Sequence, residues 1–166
     1  MAGEPTIEVE IEEDAWLAAA PAAERLVEAA AAAALAGAGF AEEAELTVLL
    51  TSDAEVRQLN RDFRKQDKPT NVLSFPADAA FRPHLGDVAL AYETCAREAA
   101  EQGKGLDAHL SHLVAHGVLH LLGWDHQTDD EADAMEALER TVLAGLGYAD
   151  PYAAQDGTDA QRRRPE

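Results

Sequence analysis

The chain is poor in cysteine, in basic side chains and in long apolar runs, and each shortage removes a class of protein. A single cysteine, Cys95, excludes an internal disulfide framework and leaves no thiol cluster to hold a metal. A reducing, cytoplasmic compartment is the resulting expectation. Only 13 Lys and Arg face 32 Asp and Glu, a formal charge of −19. Polyanions bind through cations that displace their counterions, so this balance argues against a nonspecific nucleic-acid binder. The Ala-rich run after residue 29 is too short and too closely flanked by charge to span a bilayer. Glu4, Glu8, Glu10, Glu12 and Glu13 stand where a signal peptide carries basic residues, so no membrane association and no export are expected. Repeats and low-complexity linkers are also lacking. With 166 residues, one domain over 1–152 and a disordered polar tail over 153–166 are predicted.

What is present is an alternation of strand and helix patterns. Residues 5–11 place Ile7, Val9 and Ile11 on one side, as a half-buried strand does. Residues 14–38 read as one Ala-rich helix, with Pro21 at a first turn or a kink and Gly37 and Gly39 ending it. Such a helix packs closely but buries little area per residue, so it is expected to support a site and not to form one. Residues 45–51 form strand two. Ser52 and Glu55 then have capping-box spacing before a short amphipathic helix carrying Val56, Leu59 and Phe63, which ends near 64–68 ahead of Pro69. Strand three spans 71–75, a loop fills 76–85, and strand four spans 87–91. A helix over 92–102 follows, then one from an N-cap at Asp107 to residue 122. The last helix opens with the capping box Thr128 to Glu131, turns Met135, Leu138, Val142 and Leu146 inward, and stops at Gly147. The fold class is therefore α/β (α+β), a single domain with a four-stranded mixed sheet around a central helix.

The chemistry concentrates in HGVLHLLGWDH, residues 116–126. His116 and His120, four apart on a helix, project from one face within reach of a single ion. Gly123 can take the left-handed backbone that ends a helix, which lets the chain return His126 to the same ion. Three neutral nitrogens suit Zn²⁺ and leave a fourth position open, as catalytic zinc sites do. Apolar residues surround the helix that carries them, so it is buried and offers its histidine stripe to a cavity or a metal. His109 and His112 lie on the same stripe and are expected to line the cleft or stand behind the ligands. The spacing is that of the HExxHxxGxxH zinc peptidases, except that Gly117 replaces the glutamate base. Asp125 and Asp87 are the candidate substitutes, and each can equally serve as a turn or helix cap. Upstream, Arg57, Arg61, Arg64, Lys65 and Lys68 oppose only Asp62 and Asp67, a local basic patch readable as a solvated helix face or as a docking surface.

Four stretches together resemble the YbeY family of bacterial endoribonucleases and rRNA maturation factors: HGVLHLLGWDH, FRKQDKPTNVLSFP at 63–76, LGDV at 85–88 and LGYADPY at 146–152. The similarity covers most of 45–152, whereas the first 40 residues match only in general pattern. The resemblance implies a single-domain fold around a metal-bearing helix, with His116, His120 and His126 as zinc ligands and Arg64 as the functionally important arginine of the cleft. It also implies a zinc-dependent hydrolase of single-stranded RNA that processes the 3′ end of small-subunit rRNA and acts in ribosome quality control. On that reading Arg64 pairs with a phosphate, and Arg57, Arg61, Lys65, Lys68, Thr70, Asn71 and Ser74 are candidate substrate contacts. A small-subunit ribosomal protein or assembly factor is the expected partner, since a charge of −19 suits RNA delivered by a protein. Two alternatives stay open: a zinc hydrolase of peptide or amide bonds, and a non-catalytic assembly factor ordered by its metal.

Overall fold

A computed structural model describes residues 4–64 and 70–152, Arg64 by its backbone alone. Four strands form one mixed sheet: β1 (Thr6–Ile11), β2 (Glu45–Thr51), β3 (Val72–Pro76) and β4 (His84–Ala91), in the spatial order β1-β2-β4-β3. β1 runs parallel to β2 and β2 parallel to β4, while β3 runs antiparallel to β4. Six helices accompany them among the described residues: α1 (Ala15–Ala19), α2 (Ala23–Gly37), α3 (Asp53–Arg64), α4 (Tyr92–Glu101), α5 (Leu106–Leu121) and α6 (Asp129–Gly145). The expected fold class and four-stranded sheet are observed. None of these helices is long and apolar enough to cross a membrane.

Strand alternation sorts the core into two layers. Leu46, Val48, Leu50, Val88 and Leu90 face the larger cluster, which contains Val27 and Leu35 of α2, Leu110, Val114 and Val118 of α5, and Met135 and Val142 of α6. Leu73, Ala89 and Ala91 face the other side, where Val56 of α3 covers them together with half-buried Leu49, Leu59 and Phe75. α5 is the central element of the larger layer. Ten of its residues are buried, in keeping with the apolar residues spread around its circumference.

Three expected boundaries are corrected. The Ala-rich segment is two helices, because Pro21 disfavours α conformation at the residue before it and Ala20, at φ −138° and ψ 82°, lies outside the α region. The break drops Trp16 into the core, fully buried, with its indole Nε1 donating to the Thr51 carbonyl at 2.9 Å. The cap of α5 lies two residues before the expected one: Gly105 is its N-cap, and Asp107 lies in the first turn, where its charge complements the helix dipole. β4 starts at His84 instead of Asp87, because pairing with β2 extends it through His84 and Gly86 across a register irregularity. The Thr128–Glu131 capping box forms as expected, and Ser52 Oγ accepts the Glu55 amide proton at 3.2 Å. The expected tail over 153–166 lies outside the described residues.

Candidate metal centre

α5 delivers two of the histidines and its C-terminal turn delivers the third. Gly123 takes φ +100°, its amide donating to the His120 carbonyl at 3.0 Å, while the Trp124 amide reaches the Leu119 carbonyl at 3.0 Å. This is the Schellman pattern, and it reverses the chain directly after the helix. The Asp125 carboxylate accepts the His126 amide proton at 2.8 Å and so pins the returning segment. One nitrogen each from His116, His120 and His126 then falls within 4.8 Å of the others, and all three residues are half-buried.

The donor set fits a metal ion. His116 Nε2 and His120 Nε2 are 3.2 Å apart. Two nitrogens bound to one tetrahedral ion at about 2.0–2.1 Å are themselves separated by about 3.3 Å. Burial lowers the His120 pKa to about 4, reinforced by the neighbouring His116 and His126 rings, so at neutral pH its lone pair is free of a proton. The group has three protein donors among the described residues, which leaves room for a further ligand on the ion.

Behind this group lies a residue that reading the sequence missed. Glu139 of α6 is fully buried, and its carboxylate accepts from His116 Nδ1 at 2.7 Å and from His112 Nε2 at 2.7 Å. The Tyr152 hydroxyl donates to it as well. Burial raises the Glu139 carboxyl, but the hydrogen bonds from His112 and His116 outweigh it and hold the group well below the usual carboxylate range. A signal existed, since Glu139 sits on the inward stripe of Met135, Leu138 and Val142. A carboxylate on that stripe needs an internal partner.

The four-histidine stripe of α5 therefore divides. His112 meets the three-histidine group indirectly, sharing the Glu139 carboxylate with His116. His109 does not line a cleft: it is 3% exposed, and its Nε2 meets Glu98 Oε1 at 3.0 Å. The other candidates are placed as follows. Asp87 pairs with His84 at 3.4 Å. Asn71 Nδ2 donates to the same Glu98 oxygen at 2.9 Å, and buried Ser74 donates through Oγ to the Gly117 carbonyl at 3.1 Å. Both thereby fasten β3 to its neighbouring helices. Thr70 is half-buried, and Arg57 and Arg61 are exposed on α3, Arg61 bonded to Gln58. Arg64 closes α3. Lys65 and Lys68 lie outside the described residues.

Gly117 has a packing reason for lacking a side chain. A Cβ there would stand 2.8 Å from Val88 Cγ1 and 3.2 Å from Ser74 Oγ, so α5 meets the sheet backbone-first at this point. The glutamate of the zinc peptidases has no space at this position. Gly117→Ala is expected to cost about 1–3 kcal/mol of stability through overpacking. A urea midpoint equal to that of the wild type would show that the helix stands farther from β4 than this.

Comparison with known proteins places the chain among relatives. The family model described as Endoribonuclease YbeY matches residues 8–147. The chain belongs to the YbeY family. Family relatives named Endoribonuclease YbeY include one from Rhodopseudomonas palustris strain BisA53, 52% identical over 95% of this chain and 96% of its own length. Another, from Chelativorans sp. strain BNC1, is 55% identical over 77% of this chain and 82% of its own. The solution structure of TM1509 from Thermotoga maritima shares the fold, with a TM-score of 0.54 and 24% identity, covering 88% of this chain and 98% of that one. The resemblance read from the four sequence stretches is thus borne out. So is the expectation of an enzyme, since the YbeY family is one of endoribonucleases.

Proposed function

We propose that this protein is a zinc-dependent endoribonuclease of single-stranded RNA, its hydrolase domain spanning residues 1–152. The observation that carries the reading is three half-buried imidazoles converging within 4.8 Å, in a chain that belongs to an endoribonuclease family. When bound, zinc supplies Lewis acidity toward a phosphodiester and its attacking group. His116, His120 and His126 hold it. Arg64, with Arg57 and Arg61 on the same helix and Lys65, Lys68 and Thr70 beyond it, binds and orients the phosphate backbone. Asn71 and Ser74 contribute by holding β3 in place. The biological setting we assign is cytoplasmic maturation of the 3′ end of small-subunit rRNA and ribosome quality control, with a small-subunit ribosomal protein or assembly factor delivering the RNA. The low cation content supports delivery.

The deciding experiment combines metal analysis of the native protein with cleavage assays on a defined single-stranded RNA and a peptide panel. Stoichiometric zinc and cleavage of RNA alone are expected. Peptide cleavage, or zinc without any hydrolysis, would replace this reading with one of the two alternatives. Arg64→Ala is expected to slow RNA cleavage by about 100-fold or more, the scale of losing one transition-state donor, with metal content unchanged. Wild-type cleavage by that variant removes Arg64 from the mechanism.

A further inference from the structure

Glu139 is where three side chains from separate parts of the fold meet. It receives His116 Nδ1 and His112 Nε2, each at 2.7 Å, and the Tyr152 hydroxyl. Tyr152 donates one of these bonds, and an ionised carboxylate has only acceptors to offer the two ring nitrogens that face it. That places a proton on His116 Nδ1 and leaves its Nε2 bare. The bare Nε2 is the atom 3.2 Å from His120 Nε2. His112 is set the same way: its Nδ1 is buried with no hydrogen-bond partner among the described residues, so its proton belongs on the Nε2 that faces Glu139.

We infer that Glu139 is a positioning residue for the metal centre, fixing the tautomer and ring direction of His116 and tying that ligand, through Tyr152, to the C-terminal segment. It does not touch the ion. It acts through His116, as a carboxylate hydrogen-bonded to a ligating imidazole does when it raises that ligand's basicity. The tie to the segment is reinforced by the two residues before Tyr152. Asp150 pairs with Arg140 of α6 at 3.1 Å, and the Pro151 carbonyl accepts from Lys104 Nζ at 3.0 Å. α6 and residues 150–152 thus form a buttress for a ligand on α5. The inference rests on the metal-centre reading, and the two can be separated.

The test uses full-length wild type, Glu139→Gln and Tyr152→Phe, each stripped of metal and titrated with Zn²⁺ against a competing chelator, with Co²⁺ visible absorption reporting ligand geometry. Glu139→Gln is expected to bind zinc about 10–100-fold more weakly and to alter the Co²⁺ spectrum, with Tyr152→Phe shifted in the same direction by less. A folded Glu139→Gln protein with wild-type zinc affinity overturns the inference. If that variant does not fold, long-range ¹H–¹⁵N correlation on metal-free wild type decides. A proton on Nδ1 of His116 supports the role, and one predominantly on Nε2 overturns it. Failure of the wild type to bind zinc overturns the metal-centre reading instead, while the His116 tautomer stays measurable.

Discussion

His120→Ala is expected to leave the protein folded and nearly free of zinc after dialysis, with RNA cleavage at background. Alanine is the best helix former, so the last turn of α5 tolerates the change, and the Schellman bonds that follow are made by backbone groups. Burial and the adjacent His116 and His126 rings keep the His120 imidazole neutral at pH 7, so no buried ion pair is lost with it. The variant removes one lone pair from a set of three. The loss of affinity should exceed the roughly 10–100-fold typical of removing an outer partner of a ligand. Plasma emission analysis of dialysed protein gives the number directly, and zinc content equal to that of the wild type would sink the ligand assignment.

Gly86→Ala is expected to be the most damaging small substitution for the fold. Gly86 holds φ +142°, a conformation that side chains rarely adopt, and a Cβ there would stand 2.3 Å from the Phe75 carbonyl oxygen. The same Cβ would meet Leu121 Cδ2 at 2.9 Å and Pro76 Cα at 3.0 Å. Gly86 is the β4 residue opposite Pro76, at the point where β4 changes register against β2. Backbone strain of about 1–3 kcal/mol and overpacking of similar size place the cost on the order of 3–5 kcal/mol, a large share of the about 5–15 kcal/mol that holds a domain folded. Because Leu121 follows His120 on α5, zinc affinity should fall as well. Urea unfolding of metal-free protein measures the first effect, and a loss below about 1 kcal/mol would mean that β3 and β4 separate easily.

These two glycines, Gly86 and Gly117, mark what could and could not be read along the chain. Gly86 carries no local signal of its clash, because the distance to Phe75 appears only when β3 pairs with β4. Gly117 showed that the peptidase base was missing. Why nothing larger stands there became visible only when Val88 and Ser74 were seen beneath it. The Ala-rich segment divides for a local reason: Pro21, placed by the sequence at a first turn or a kink, stands between two helices because the residue before it leaves the helix altogether. His84 and Gly86 have no strand signature of their own, and the parallel ladder with β2 draws them into β4.

The sequence by itself determined the three-histidine group, because its convergence depends on short-range geometry: helical periodicity aligns His116 with His120, and one left-handed glycine turns the chain back to His126. Tertiary structure alone decided what supports it. Glu139 is 23 residues from His116, and Ser74 is 43 residues from the Gly117 carbonyl that it bonds. Neither separation has a period, so contacts of this kind exist only once α6 and β3 have docked against α5.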